Sequence, residues 1–112
     1  MANPTLDLLR GTLDLLILRT LSQESMHGYD VARSIRVRTR DELLVEEGAL
    51  YPALHRLERR GLVVSTWGFS DRNRKAKYYR LTARGRQQLH ADISQWERYT
   101  RAVARVLAQR EA

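Results

Sequence analysis

Two short stretches of this 112-residue chain carry side chains suited to one chemistry, the binding of anions and of planar polar edges. Gly48, Tyr51, His55 and Arg59 recur at three- and four-residue spacing, which on a helix places them on one face. Leu50, Leu54 and Leu57 recur in the same rhythm and would hold the other face against a core. Gly48 near a helix start lets the backbone approach a phosphate closely, where free amides favour an anion. Tyr51 supplies a hydroxyl, and Arg59 a planar fork that fits phosphate or guanine. The second stretch, residues 70–77, sets Arg72, Arg74, Lys75 and Lys77 against a single acid, Asp71. Taken alone, such a run is equally well read as a solvated loop. Its place after three helices is what points to phosphate contacts.

The elements that would position these groups follow from hydrophobic period. Leu6, Leu9, Leu13, Leu16, Ile17 and Leu21 predict a first helix over residues 6–21, after a short arm. Polar residues and Gly28 break the pattern, and Tyr29, Val31, Ala32 and Ile35 rebuild it as a second helix. Charge-dense residues 36–42 read as a solvated connection, with a short strand at 43–45. A third helix spans about 47–60, ended by Gly61. Residues 62–67 and 77–82 have strand character, so residues 68–76 form a basic hairpin loop. Thr82 is placed to cap a last helix that runs to the C-terminus. The expected fold class is mainly α with a small β-hairpin. It comprises a winged helix-turn-helix at residues 1–82 and a C-terminal dimerisation helix at 83–112, in one compact unit.

Composition narrows the function. A formal charge of +7 favours polyanionic partners, nucleic acid or anionic lipid. The absence of cysteine removes disulfides, thiolate metal sites and thiol nucleophiles, and suits a reducing cytoplasm. His27, His55 and His90 fall in separate elements with no nucleophile, base and orienting acid in view, so no catalysis, cofactor or metal is expected. His27 reads as a helix-start residue, and Asp41, Glu42, Glu46 and Glu47 as a solvated acidic segment. No run approaches the roughly 20 apolar residues of a membrane span, and the N-terminus lacks the basic start of an export signal. The expected location is therefore the cytoplasm, with no membrane partner.

The segments His27-Gly28-Tyr29, residues 47–58, Gly61-Leu62 and Lys77-Tyr78-Tyr79-Arg80-Leu81-Thr82 resemble the PadR family of transcriptional regulators. The similarity extends from Gly11-Thr12-Leu13 to the final helix, whose modest length resembles the small-subfamily type. The resemblance implies that Tyr51 and wing residues 72–77 contact double-stranded DNA, in a homodimer that usually acts as a repressor. In relatives a proline at the Pro52 position is tolerated within the first turns of helix 3, where a missing amide is cheap.

The final helix carries Leu89, Ile93, Trp96, Val103 and Leu107 in a heptad-like stripe too long for so small a domain to cover. Pairing with a second copy would set two recognition helices about 34 Å apart on a pseudo-palindromic operator. Trp96 within that stripe is first a packing residue; some relatives bind planar apolar compounds at an aromatic on this helix, which makes a small-molecule effector a further candidate partner. The rival to DNA binding is a winged-helix adaptor whose basic face meets an acidic protein, and salt dependence separates the two.

Overall fold

Helix α1 (Thr12–Leu21) begins just after Gly11, which holds a φ of 87°, in the left-handed region that glycine enters without strain. The computed structural model describes residues 11–109; the proposed arm and the first positions of the helix expected from residue 6, Leu6 and Leu9 among them, lie outside that range. Ile17, Leu18 and Leu21 are buried. Thr20 is buried as well, its hydroxyl donating to the Leu16 carbonyl at 2.7 Å, so no polar group is orphaned there.

A two-residue strand, β1 (Met26–His27), which the hydrophobic pattern did not reveal, leads into α2 (Gly28–Arg38). His27 caps α2 with Nδ1, which accepts from the Asp30 amide at 3.3 Å. Gly28, Val31 and Ile35 form the buried face, so Tyr29, expected on it, turns out to solvent. The helix also runs into the residues expected as a connection. It stops where the Thr39 hydroxyl donates to the Ile35 carbonyl and where Arg40 and Asp41 turn left-handed. The strand expected at 43–45 is not formed: the segment has no strand partner among the described residues, and Val45 serves as a buried anchor instead.

Helix α3 (Glu47–Arg59) contains Pro52. The proline lies past the first turn, so the amide it lacks would have served the Gly48 carbonyl, and it is not one of the free ones. Gly48 is exposed, which lets solvent satisfy that carbonyl. The helix ends in a Schellman motif about Gly61 (φ 74°), with the Leu62 amide on the Leu57 carbonyl and the Gly61 amide on that of Glu58, both at 3.0 Å.

Strands β2 (Val63–Phe69) and β3 (Lys75–Leu81) pair antiparallel, and β3 takes the centre of a β1-β3-β2 sheet. Both run further toward the tip than their residue types suggested, so the loop shrinks to residues 70–74. It is closed by the Asn73 amide on the Ser70 carbonyl at 2.8 Å, with Asn73 itself left-handed at φ 58°. Helix α4 (Ala83–Leu107) starts at Thr82, whose hydroxyl accepts from the Gly85 amide at 2.9 Å and donates to the Gly61 carbonyl at 2.7 Å. A Cβ at Gly85 would run into the Leu62 carbonyl oxygen, so the helix can cross the wing root only with glycine there. Its 25 residues span about 37 Å. Only the first half packs on the core, through Leu89 and in part Ile93. No helix among the described residues is long and apolar enough to cross a membrane.

Candidate nucleic-acid interface

The two faces of α3 divide as the spacing requires. Leu50, Ala53, Leu54 and Leu57 are buried, while Gly48, Tyr51, His55 and Arg59 are exposed in one line. Tyr51, 37 % exposed, is oriented by α2. A Cβ at Gly28 would come within 2.8 Å of Tyr51 Cε1 and 3.0 Å of its hydroxyl oxygen, so the ring lies across the start of α2 because residue 28 has no side chain. Arg56 belongs to a different edge of the helix: its Nη2 sits 3.1 Å from Asp14 Oδ1 and ties α3 to α1. Arg59 has no ion pair among the described residues, which leaves its fork available to a ligand.

The hairpin register puts Val63, Ser65, Trp67 and Phe69 on one face, opposite Leu81, Tyr79, Lys77 and Lys75. Val63, Tyr79 and Leu81 are buried at the root, so this is the inner face, turned toward α3. Glu58 of α3 meets it: Ser65 Oγ donates to Glu58 Oε2 at 2.6 Å, and Lys77 Nζ lies 3.9 Å from Oε1. Burial pushes the pKa of the Tyr79 phenol up, and the Glu58 carboxylate and Tyr51 add to the effect, so the ring beneath Lys77 stays neutral.

The four basic residues of the wing therefore divide. Arg72 and Arg74 stand exposed in the turn, with no ion pair among the described residues. Lys75 lies with its ammonium 4.9 Å from the Trp67 ring centroid, and Lys77 faces Glu58 some way below the tip. Between the wing and α2 opens a groove of about 750 Å³ that brings Tyr51 together with all four cations. Gly48 borders a neighbouring groove of about 500 Å³, which shares Tyr51 and Tyr29 with the first. His55 and Arg59 line neither and lie further along the same helix face.

The groove also contains Tyr29, Arg33 and Trp67, which sequence reasoning did not select. Arg33 carried a usable signal, since it lies four residues from Tyr29 and so on one helix face with it. Tyr29 and Trp67 fit the roles of core and strand formers, and an aromatic residue carries no local mark of which side it will face.

The proposed pairing stripe divides as well. Leu89 is buried in the chain's own core and is not free for a partner, and Ile93 packs partly against that core. Beyond them Trp96 is half-buried beside Tyr99, with ring centroids 6.2 Å apart, and Val103, Val106 and Leu107 are exposed. Trp96 and Tyr99 border a groove of about 590 Å³ between α1 and α4, together with Asp14 and Asp92.

Residues 17–91 match the Transcriptional regulator PadR-like family. The transcriptional regulator Rv3488 of Mycobacterium tuberculosis is 35% identical over 94 residues, which cover 84% of each chain. Among solved structures, a PadR-like transcriptional regulator from Bacillus cereus superposes with a TM-score of 0.79 at 30% identity, covering 91% of this chain and 97% of that one. A PadR family transcription regulator from Clostridium difficile gives 0.75 at 31%, covering 88% and 100%. A shared winged-helix architecture, a matched segment that spans the α3 and wing residues, and identities of 30% and above lead to one conclusion: the chain belongs to the PadR-like family of transcriptional regulators.

Proposed function

We propose that the protein is a homodimeric repressor that binds a pseudo-palindromic operator in the cytoplasm, and that it has no catalytic activity. One observation carries this reading: Tyr51 from the exposed face of α3 and the free arginines of the wing line a common groove, while an apolar stripe stands uncovered on distal α4. Residues 1–82 would bind DNA, with Gly48, Tyr51, His55 and Arg59 in or beside the major groove. Arg72, Arg74 and Lys75 would lie on the backbone or in the flanking minor groove, and Lys77 is the weakest member of that set because Glu58 already holds it. Residues 83–112 would pair two copies, spacing the recognition helices by about one DNA turn, roughly 34 Å. A flat apolar effector would sit in the groove at Trp96, next to the pairing surface.

The deciding experiment measures affinity for the duplex upstream of the protein's own gene, against a scrambled duplex, at two salt concentrations, with sedimentation of the same sample. The expected result is a dimer that prefers the native duplex and loses affinity steeply with salt. Equal binding to both duplexes would place the operator elsewhere or reduce the protein to a generic DNA binder. No binding to either would favour the adaptor role, in which the basic face meets an acidic protein.

A further inference from the structure

Two large aromatic side chains stand uncovered on the wing: Trp67 is 64 % and Phe69 70 % exposed. The register places both on the inner face, across from Lys77 and Lys75. Trp67 lines the groove that also holds Tyr51, and Phe69 continues the same face toward the turn. Leaving a tryptophan and a phenylalanine in water forgoes the free energy of burying them, so this face is built to be covered. The charges around it identify the cover. Lys75 lies over the Trp67 ring, and with Arg33, Arg72, Arg74 and Lys77 it outnumbers Asp30 and Asp71 around the groove, so a second copy of the same surface would set net positive charge against net positive charge. The occupant has to be anionic and to offer an apolar wall as well.

Duplex DNA meets both demands at the minor groove, where the carbons of the deoxyribose rings line a narrow channel between two rows of phosphates. We propose that Trp67 and Phe69 pack against the deoxyribose wall of the minor groove while Arg72, Arg74 and Lys75 take the flanking phosphates. The wing then contributes two separable components to binding, one that salt screens and one that it does not. The proposal rests on the DNA-binding reading above and adds to it the residues that make apolar contact.

The test compares the full-length protein with the double variant Trp67→Ala, Phe69→Ala, using anisotropy of a labelled duplex from the upstream region over a range of salt. Both side chains are exposed, so thermal unfolding should be unchanged and confirms that the variant is folded. The expected result is a loss of about tenfold in affinity, by the same factor at every salt concentration, with the slope of log affinity against log salt unchanged. In a Trp96→Phe protein, which keeps an aromatic ring in the pairing stripe and whose duplex binding is checked in the same anisotropy, Trp67 is the sole tryptophan, and its emission should change when the duplex is added. Wild-type affinity in the double variant, with silent Trp67 emission, would overturn the proposal. So would a flatter salt slope, which would make Trp67 merely the seat of Lys75. An emission change with anionic lipid vesicles but not with duplex would move this face to a membrane surface. Failure of the unaltered protein to bind any duplex would show in the same anisotropy and would overturn the DNA reading itself, and this proposal with it.

Discussion

The wing and the distal half of α4 both carry apolar side chains into solvent, yet the charges are distributed about them in opposite ways. On the wing, Lys75 and Lys77 share a face with Trp67 and Phe69. On α4, Trp96, Tyr99, Val103 and Val106 follow one another at three- and four-residue steps and fall within one narrow stripe, while Glu97, Arg98, Arg101 and Arg105 project from the other side. Glu97 and Arg101 even pair with each other there, at 3.9 Å. Asp92 stands one turn before Trp96, but from Trp96 to Val106 the strip itself carries no ion, so it suits an identical strip, because no charge within it must be desolvated when two copies meet. An apolar strip interleaved with cations suits a polyanion instead. Exposure by itself therefore says only that a surface is to be covered; the position of charge relative to it says by what.

Both regions hang from one joint, the crossing of α4 over the wing root at Gly85 and Leu62, and breaking that joint should have the largest effect. Gly85→Ala forces a methyl group into the Leu62 carbonyl, and the expected cost is about 3 kcal/mol of stability or more. A thermal melt followed by circular dichroism reads it, and DNA binding and dimerisation should fail together. Val103→Glu tests distal α4 alone. Val103 is a cleaner choice than Ile93, which also packs against the chain's own core. The variant should sediment as a monomer and fall roughly a hundredfold in operator affinity because it no longer binds bivalently, while its circular dichroism stays that of a folded chain and its melt falls only by the stabilisation that dimerisation had added. A variant that remains dimeric would move the interface off this stripe.

Arg74→Ala tests the wing alone. It should weaken binding severalfold and lower the salt slope by about 0.9, the change expected when one phosphate is no longer neutralised. Lys77→Gln sharpens the contrast within the wing, since its ammonium already faces Glu58. The expected result is no measurable change in salt slope. A drop like that of Arg74→Ala would show that Lys77 leaves Glu58 to reach the backbone when DNA binds.

Much of this arrangement is legible without the fold, and the legible parts have a common physical character. The outward line of Gly48, Tyr51, His55 and Arg59 follows from the period of one helix. The stops at Gly61 and Thr82 follow from the chemistry of single residues at helix ends. Each is settled within a few residues of chain. The parts left open are those in which a side chain has two acceptable places. Tyr29 fits a core or a surface equally well, and it was sent outward because Val31 and Ile35 filled the space inside. Leu89 fits a core or an interface, and was drawn into the core beneath the start of α4. Lys77 became half of an ion pair because the hairpin folded back onto Glu58, nineteen positions earlier in the chain. Likewise β1 is a strand only because Tyr78 and Tyr79 lie beside it. The sequence by itself determined which residues share a face and where each helix ends, since spacing and capping act over a turn or two of backbone. Only the tertiary structure decided which faces were covered and which cations stayed free, because those outcomes depend on packing between segments far apart in the chain.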